Sequence, residues 1–109
     1  MAKGYLVVCY REIRDPEKLM KYAELAPKAM LPQGANILVR DGRVEAFEDG
    51  LKQSTMVVEF PSYEAAHAAY NSPEYQAAVA ALGDGAVRDS GSSKASTRTF
   101  ENHFVEEPE

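Results

Sequence analysis

The side chains of this sequence that could carry chemistry are one helical histidine, several tyrosines and a few arginines and glutamates. His67 is best suited to move a proton near neutral pH, because an imidazole titrates there. Glu59, at the end of an apolar run, is a second candidate base. Tyr10, Arg11, Tyr22, Arg40, Tyr70, Asn71 and Tyr75 are the candidate ligand-binding set, with Glu12 beside them. A tyrosine offers an apolar body with one hydrogen-bonding tip, and an arginine grips a carboxylate with two parallel contacts. Together these types suit a small polar or aromatic molecule.

Each candidate also has a plain structural explanation. Tyr22, Tyr70 and Tyr75 fall at core spacing, and Arg11, Arg40 and Glu59 can be spent on ion pairs. Asn71, Ser72 and Pro73 read as helix punctuation. No HxxxH or CxxC spacing is present, and His103 is distant in sequence from His67, so a metal site built by the protein is not expected. A phosphate loop and a dinucleotide fingerprint are also missing, and no cofactor is expected.

The elements that must position these residues follow from pattern. A strand is expected over 4–13, where Tyr5, Val7 and Cys9 alternate with Leu6, Val8 and Tyr10, so both faces are apolar. Asp15-Pro16-Glu17 is a cap, a first-turn proline and an acidic residue, and starts a helix whose stripe is Leu19, Tyr22, Ala23, Ala26 and Met30. Pro27 should kink or shorten that helix. A strand over 35–40 then meets Asp41-Gly42, a hairpin signal with a short returning segment at 43–47. The next strand, 55–60, runs into Pro61-Ser62, where the serine caps a helix from Tyr63 to about Tyr70. The signal repeats at Ser72-Pro73 and opens another helix. Its core-facing set, with that of the preceding helix, is Ala66, Ala69, Tyr70, Tyr75, Ala78, Val79 and Leu82. Residues 83–96, rich in Gly, Ser and Ala, are expected to form a flexible loop. A fourth strand is expected over 97–105, followed by an acidic tail at 106–109.

The order is βαββαβ, and its usual solution is an α+β domain: a four-stranded antiparallel sheet with the helices on one face. With 109 residues, the chain is expected to be a single domain over 1–109. Apolar groups on both faces of the strands call for a cover on the helix-free face, most simply a second copy in a two-fold homodimer. The net charge of −5, without a Lys/Arg cluster, disfavours nucleic acid and anionic membrane as partners. The single cysteine, Cys9, excludes an intramolecular disulfide, and the short N-terminal apolar run fits neither a signal peptide nor a membrane span. A cytoplasmic protein is expected.

Three stretches also carry a resemblance: GYLVVCYREIRDPEKLMKYAELA at the start, EFPSYEAAHAAYNSPEYQAA in the middle and GDGAVRD after it. Together they resemble domain-of-unknown-function family 1330, in the dimeric α/β barrel superfamily, over residues 3 to about 89. The resemblance implies a ferredoxin-like protomer and a homodimer whose sheets pack face to face. The wider superfamily includes cofactor-free quinol monooxygenases, muconolactone isomerases, stress-responsive barrel proteins and haem-degrading enzymes. The expectation is therefore a small organic molecule bound between sheet and helices. If it is turned over, the chemistry is monooxygenase-like or isomerase-like, with His67 or Glu59 as base and Tyr10, Tyr70 or Arg11 orienting the substrate. The alternative is a non-catalytic structural or interaction dimer. Against the family pattern, SGSSKAS stands as an insertion before the last expected strand.

Overall fold

Alternation of side chains along the first strand decides which way the molecule packs. In the computed structural model, which describes residues 2–40 and 42–96, strand β1 spans Gly4–Ile13. Leu6, Val8 and Tyr10 are buried on one face, while Tyr5, Val7 and Cys9 lie on the other and stay more exposed. Helix α1 spans Pro16–Met30 and begins as its cap dictates: the Asp15 side chain accepts from the N–H groups of Glu17 and Lys18. The helix runs through Pro27 instead of stopping there. The proline falls in the last turn, where it withdraws one donor, and burial of Ala29 and Met30 beyond it outweighs that loss. A 3₁₀ turn, Leu31–Gln33, ends at Gly34, whose φ of 88° is the left-handed conformation that glycine adopts without strain.

Strands β2 (Asn36–Arg40) and β3 (Ser54–Phe60) follow. They pair antiparallel with each other, and β1 pairs antiparallel with β3. The tight hairpin expected at Asp41-Gly42 is not how β2 is completed. Its partner is β3, no strand forms over 42–53, and Asp41 itself lies outside the described residues. The dipeptide marks tolerance of positive φ, but the pairing partner is chosen by the apolar face it can bury, and Met56, Val58 and Phe60 offer more than 43–47.

Helices α2 (Tyr63–Asn71) and α3 (Pro73–Leu82) are divided by Ser72, as the repeated cap signal predicts. The Ser62 hydroxyl accepts from the Ala65 N–H, and that of Ser72 accepts from the Tyr75 N–H. Strand β4 spans Ala86–Lys94 and pairs antiparallel with β1. This corrects the expected loop over 83–96. Among the described residues β4 is hydrogen-bonded along one side, and SGSSK satisfies its backbone through β1 without looking like a strand in composition. The strand expected over 97–105 and the tail at 106–109 lie outside the described residues.

The sheet order is β2-β3-β1-β4, all antiparallel, with the helices on one face. The fold is thus α+β, as the βαββαβ order requires. The core lies between that face and the helices, where Leu6, Val8, Tyr10, Val58 and Phe60 meet Tyr22, Met30, Ala66, Ala69, Tyr75, Ala78 and Leu82. Alanines on α2 and α3 let the helices come close. Gly4 serves the same closeness: a Cβ there would collide with the Ser62 carbonyl and the Tyr63 backbone at the start of α2. Among the described residues, no helix is long and apolar enough to cross a membrane.

Candidate functional site

Between α1 and the sheet lies a cavity of about 410 Å³. Its wall is mainly aliphatic, including Leu6, Val8, Ile37, Met56 and Val58 from the sheet and Leu19, Ala23, Ala26 and Met30 from α1. Tyr10, Tyr22, Arg40 and Ser54 add the polar groups, and among the described residues no acidic side chain lines it.

Local structure explains how each arrives there. Tyr10 follows the inward alternation of β1, and Tyr22 sits on the buried stripe of α1. Arg40 depends on an irregularity. Ile37 faces Val58 and Val39 faces Val57, so the register of β2 slips at Leu38. That extra residue reverses the alternation and brings Arg40 opposite Met56, on the inward side.

Behind the cavity wall is an aromatic cluster built around a cation. The hydroxyls of Tyr22 and Tyr75 are 2.6 Å apart and buried, and their rings meet edge to face with centroids 5.9 Å apart. Tyr70 extends the cluster, 5.2 Å from the Tyr75 ring. Arg88 of β4 pairs in register with Tyr10, and its guanidinium carbon lies 4.7 Å from the Tyr22 ring centroid and 5.7 Å from that of Tyr10. Its Nη1 is buried and has no hydrogen-bond partner among the described residues. Burial, with Tyr75 next to it, pushes the Tyr22 phenol well above its ordinary value of 10, so Tyr22 stays neutral and supplies no countercharge.

The predicted residues thus divide into three places. Tyr10, Tyr22 and Arg40 line the cavity, and Tyr75 stands behind Tyr22. His67, Tyr70 and Asn71 line a second, smaller hollow against Ser90, Gly91 and Ser92 of β4. There His67 is exposed and stacked on Tyr63, and the Asn71 side chain donates to the His67 carbonyl, which is helix-end capping. Glu59 and Arg11 are on the opposite, helix-free face. The Tyr5 hydroxyl donates to Glu59 at 3.2 Å, and Arg11 pairs with Asp89 at 2.8 Å. The expectation that these two point toward the helices is therefore corrected: Glu59 is out of step with Phe60, and Arg11 with Tyr10. His67 and Glu59 do not meet. Arg88 is the residue that sequence reasoning missed, because the composition around it reads as a loop. Its only signal is its place in GDGAVRD. Among the described residues no group of three potential metal ligands occurs.

Comparison with known proteins fits this architecture. Residues 3–91 match the family described as domain of unknown function (DUF1330), and the chain belongs to that family. None of the curated proteins compared matches it. Among solved structures, the chain is similar to a protein of unknown function from Rhodopseudomonas palustris, with a TM-score of 0.68 at 17% identity, covering 89% of this chain and 85% of that one. It is also similar to SnoaB, a cofactor-independent oxygenase from Streptomyces nogalater, with a TM-score of 0.61 at 12% identity over 92% and 98% of the two chains. A third is a dimeric ferredoxin-like protein of unknown function from Thermobifida fusca, with a TM-score of 0.56 at 15% identity over 86% and 92%. At these identities the likeness is one of fold, which is ferredoxin-like.

Proposed function

We propose that the chain binds a small, largely apolar organic molecule in the cavity between α1 and the sheet. The observation that carries this reading is the cavity itself: about 410 Å³, aliphatic over most of its wall, with a few convergent polar groups at Tyr10, Tyr22 and Arg40. That size and lining are what ligand sites of this kind have, whereas a purely structural interior is filled by side chains. If the ligand is transformed, cofactor-independent oxygen chemistry of the kind named for SnoaB is the supported direction, on fold analogy alone. His67 and Glu59, which lie outside the cavity, have no part in it. The working unit in this reading is a homodimer closed through the helix-free sheet face. Its support is the dimeric Thermobifida fusca relative and the partial exposure of Val7 and Val39 on that face.

Titration with the neutral dye N-phenyl-1-naphthylamine tests the cavity. Its fluorescence should rise with saturation in the wild type, and Ala26→Phe, which fills the space from α1, should weaken binding at least about tenfold while holding or raising Tm. A dye that does not bind, or that binds both proteins equally, would sink the reading.

A further inference from the structure

Arg88 is half-buried, yet its Nη1 is cut off from water, an unusual setting for a guanidinium. A guanidinium is cationic at every accessible pH, and a cation drawn out of water is ordinarily compensated by a carboxylate. Among the described residues, no ion pair reaches Arg88: the three present are Arg11–Asp89, Arg14–Glu12 and Lys18–Asp84, all on the surface. Its neighbours are Tyr10 and Tyr22, whose rings and hydroxyls attract a cation but cannot neutralise it, and among the described residues Nη1 has no hydrogen-bond partner. A buried donor left without an acceptor costs stability, and such groups persist where something else uses them.

The surroundings carry the same sign. The chain has seventeen acidic residues against twelve basic ones, yet among the described residues no acidic side chain lines the cavity. The charged side chains at its wall and just behind it are Arg40 and Arg88. Positive charge thus gathers about the cavity, Arg40 exposed at its wall and Arg88 half-buried behind it, and the apolar surroundings strengthen its action on an anion. The two rings that hold Arg88 are also cavity wall, which sets the guanidinium directly behind that wall.

From these observations we infer that Arg88 is the anion receptor of the cavity, and that the ligand is a small carboxylate whose apolar body occupies the aliphatic chamber while its charged end is held by Arg88. This rests on the reading that the cavity binds a small molecule and narrows its chemistry. The guanidinium fork suits a planar carboxylate with two parallel contacts, and the tyrosine hydroxyls beside it can add donors.

The probes are 4-phenylbutyrate and its neutral amide, compared by calorimetry with the full-length protein at physiological ionic strength. The carboxylate should bind at least about tenfold more tightly than the amide. Arg88→Met, which keeps length and removes charge, should bring the two within about twofold while leaving amide affinity in place. Its fold is checked by Tm, which should hold or rise because an uncompensated cation has been removed. Arg88→Lys, which restores a point charge, should recover part of the preference. Equal binding of carboxylate and amide by the wild type overturns the anion receptor but leaves the cavity reading standing. If neither probe binds, both fall. If Arg40→Met abolishes the preference and Arg88→Met does not, the assignment to Arg88 is overturned.

Discussion

Two buried phenols solve one problem for each other. The hydroxyls of Tyr22 and Tyr75 are buried and paired at 2.6 Å, so each is the other's partner. Tyr22→Phe strands the Tyr75 hydroxyl and should cost about 1–3 kcal/mol by urea denaturation, whereas changing both to Phe should cost clearly less than the sum of the single changes. Strict additivity would show that the pair does not act as a unit. At this scale the sequence was partly legible. Helical spacing put Tyr22 and Tyr75 in the core, and alternation put Tyr10 there. The same alternation forbids Arg11 from sharing a side with Tyr10, or Glu59 with Phe60, and it is the better guide than chemical appeal. Arg40 reaches the cavity through a slip in register that no residue type announces.

Helix punctuation is where sequence and structure agree most closely, because capping is local and needs no tertiary knowledge. Ser62 and Ser72 both cap, but Ser72 works in two directions: its hydroxyl donates to the Ala69 carbonyl at 2.8 Å, ending α2, and accepts from the Tyr75 N–H, starting α3. Ser72→Ala should therefore lower stability by about 1–2 kcal/mol, more than Ser62→Ala, measured as the shift in denaturation midpoint. Equal losses would mean that the second bond contributes nothing. Strand β4 is the opposite case. Its backbone bonds to β1 are non-local, and its side chains carry almost no apolar signal, so composition pointed to a loop. What the misplaced strand concealed was Arg88, whose inward orientation follows only once its register with Tyr10 is known.

At the scale of the whole molecule, the sheet has one face covered by helices and one that, among the described residues, is not. Val7 and Val39, 37% and 40% exposed, lie on the uncovered face with Tyr5, Cys9 and Val57. In a face-to-face pair Val7 would be covered, and Val7→Glu would place a charge against apolar surface. Light scattering at micromolar concentration should show a dimer for the wild type and a monomer for Val7→Glu; a wild-type monomer would refute the closed pair. The outer sides of β2 and β4 bear on this association. Among the described residues neither pairs with a further strand. Both are poor templates, since β2 slips register at Leu38 while β4 presents Ser90, Gly91, Ser92, Ser93 and Lys94. Growth by adding strand to strand, which has no natural end point, is discouraged at both margins. In the proposed homodimer, copies would meet on the flat of the sheet, where one two-fold contact would use up the available surface and assembly would stop at two.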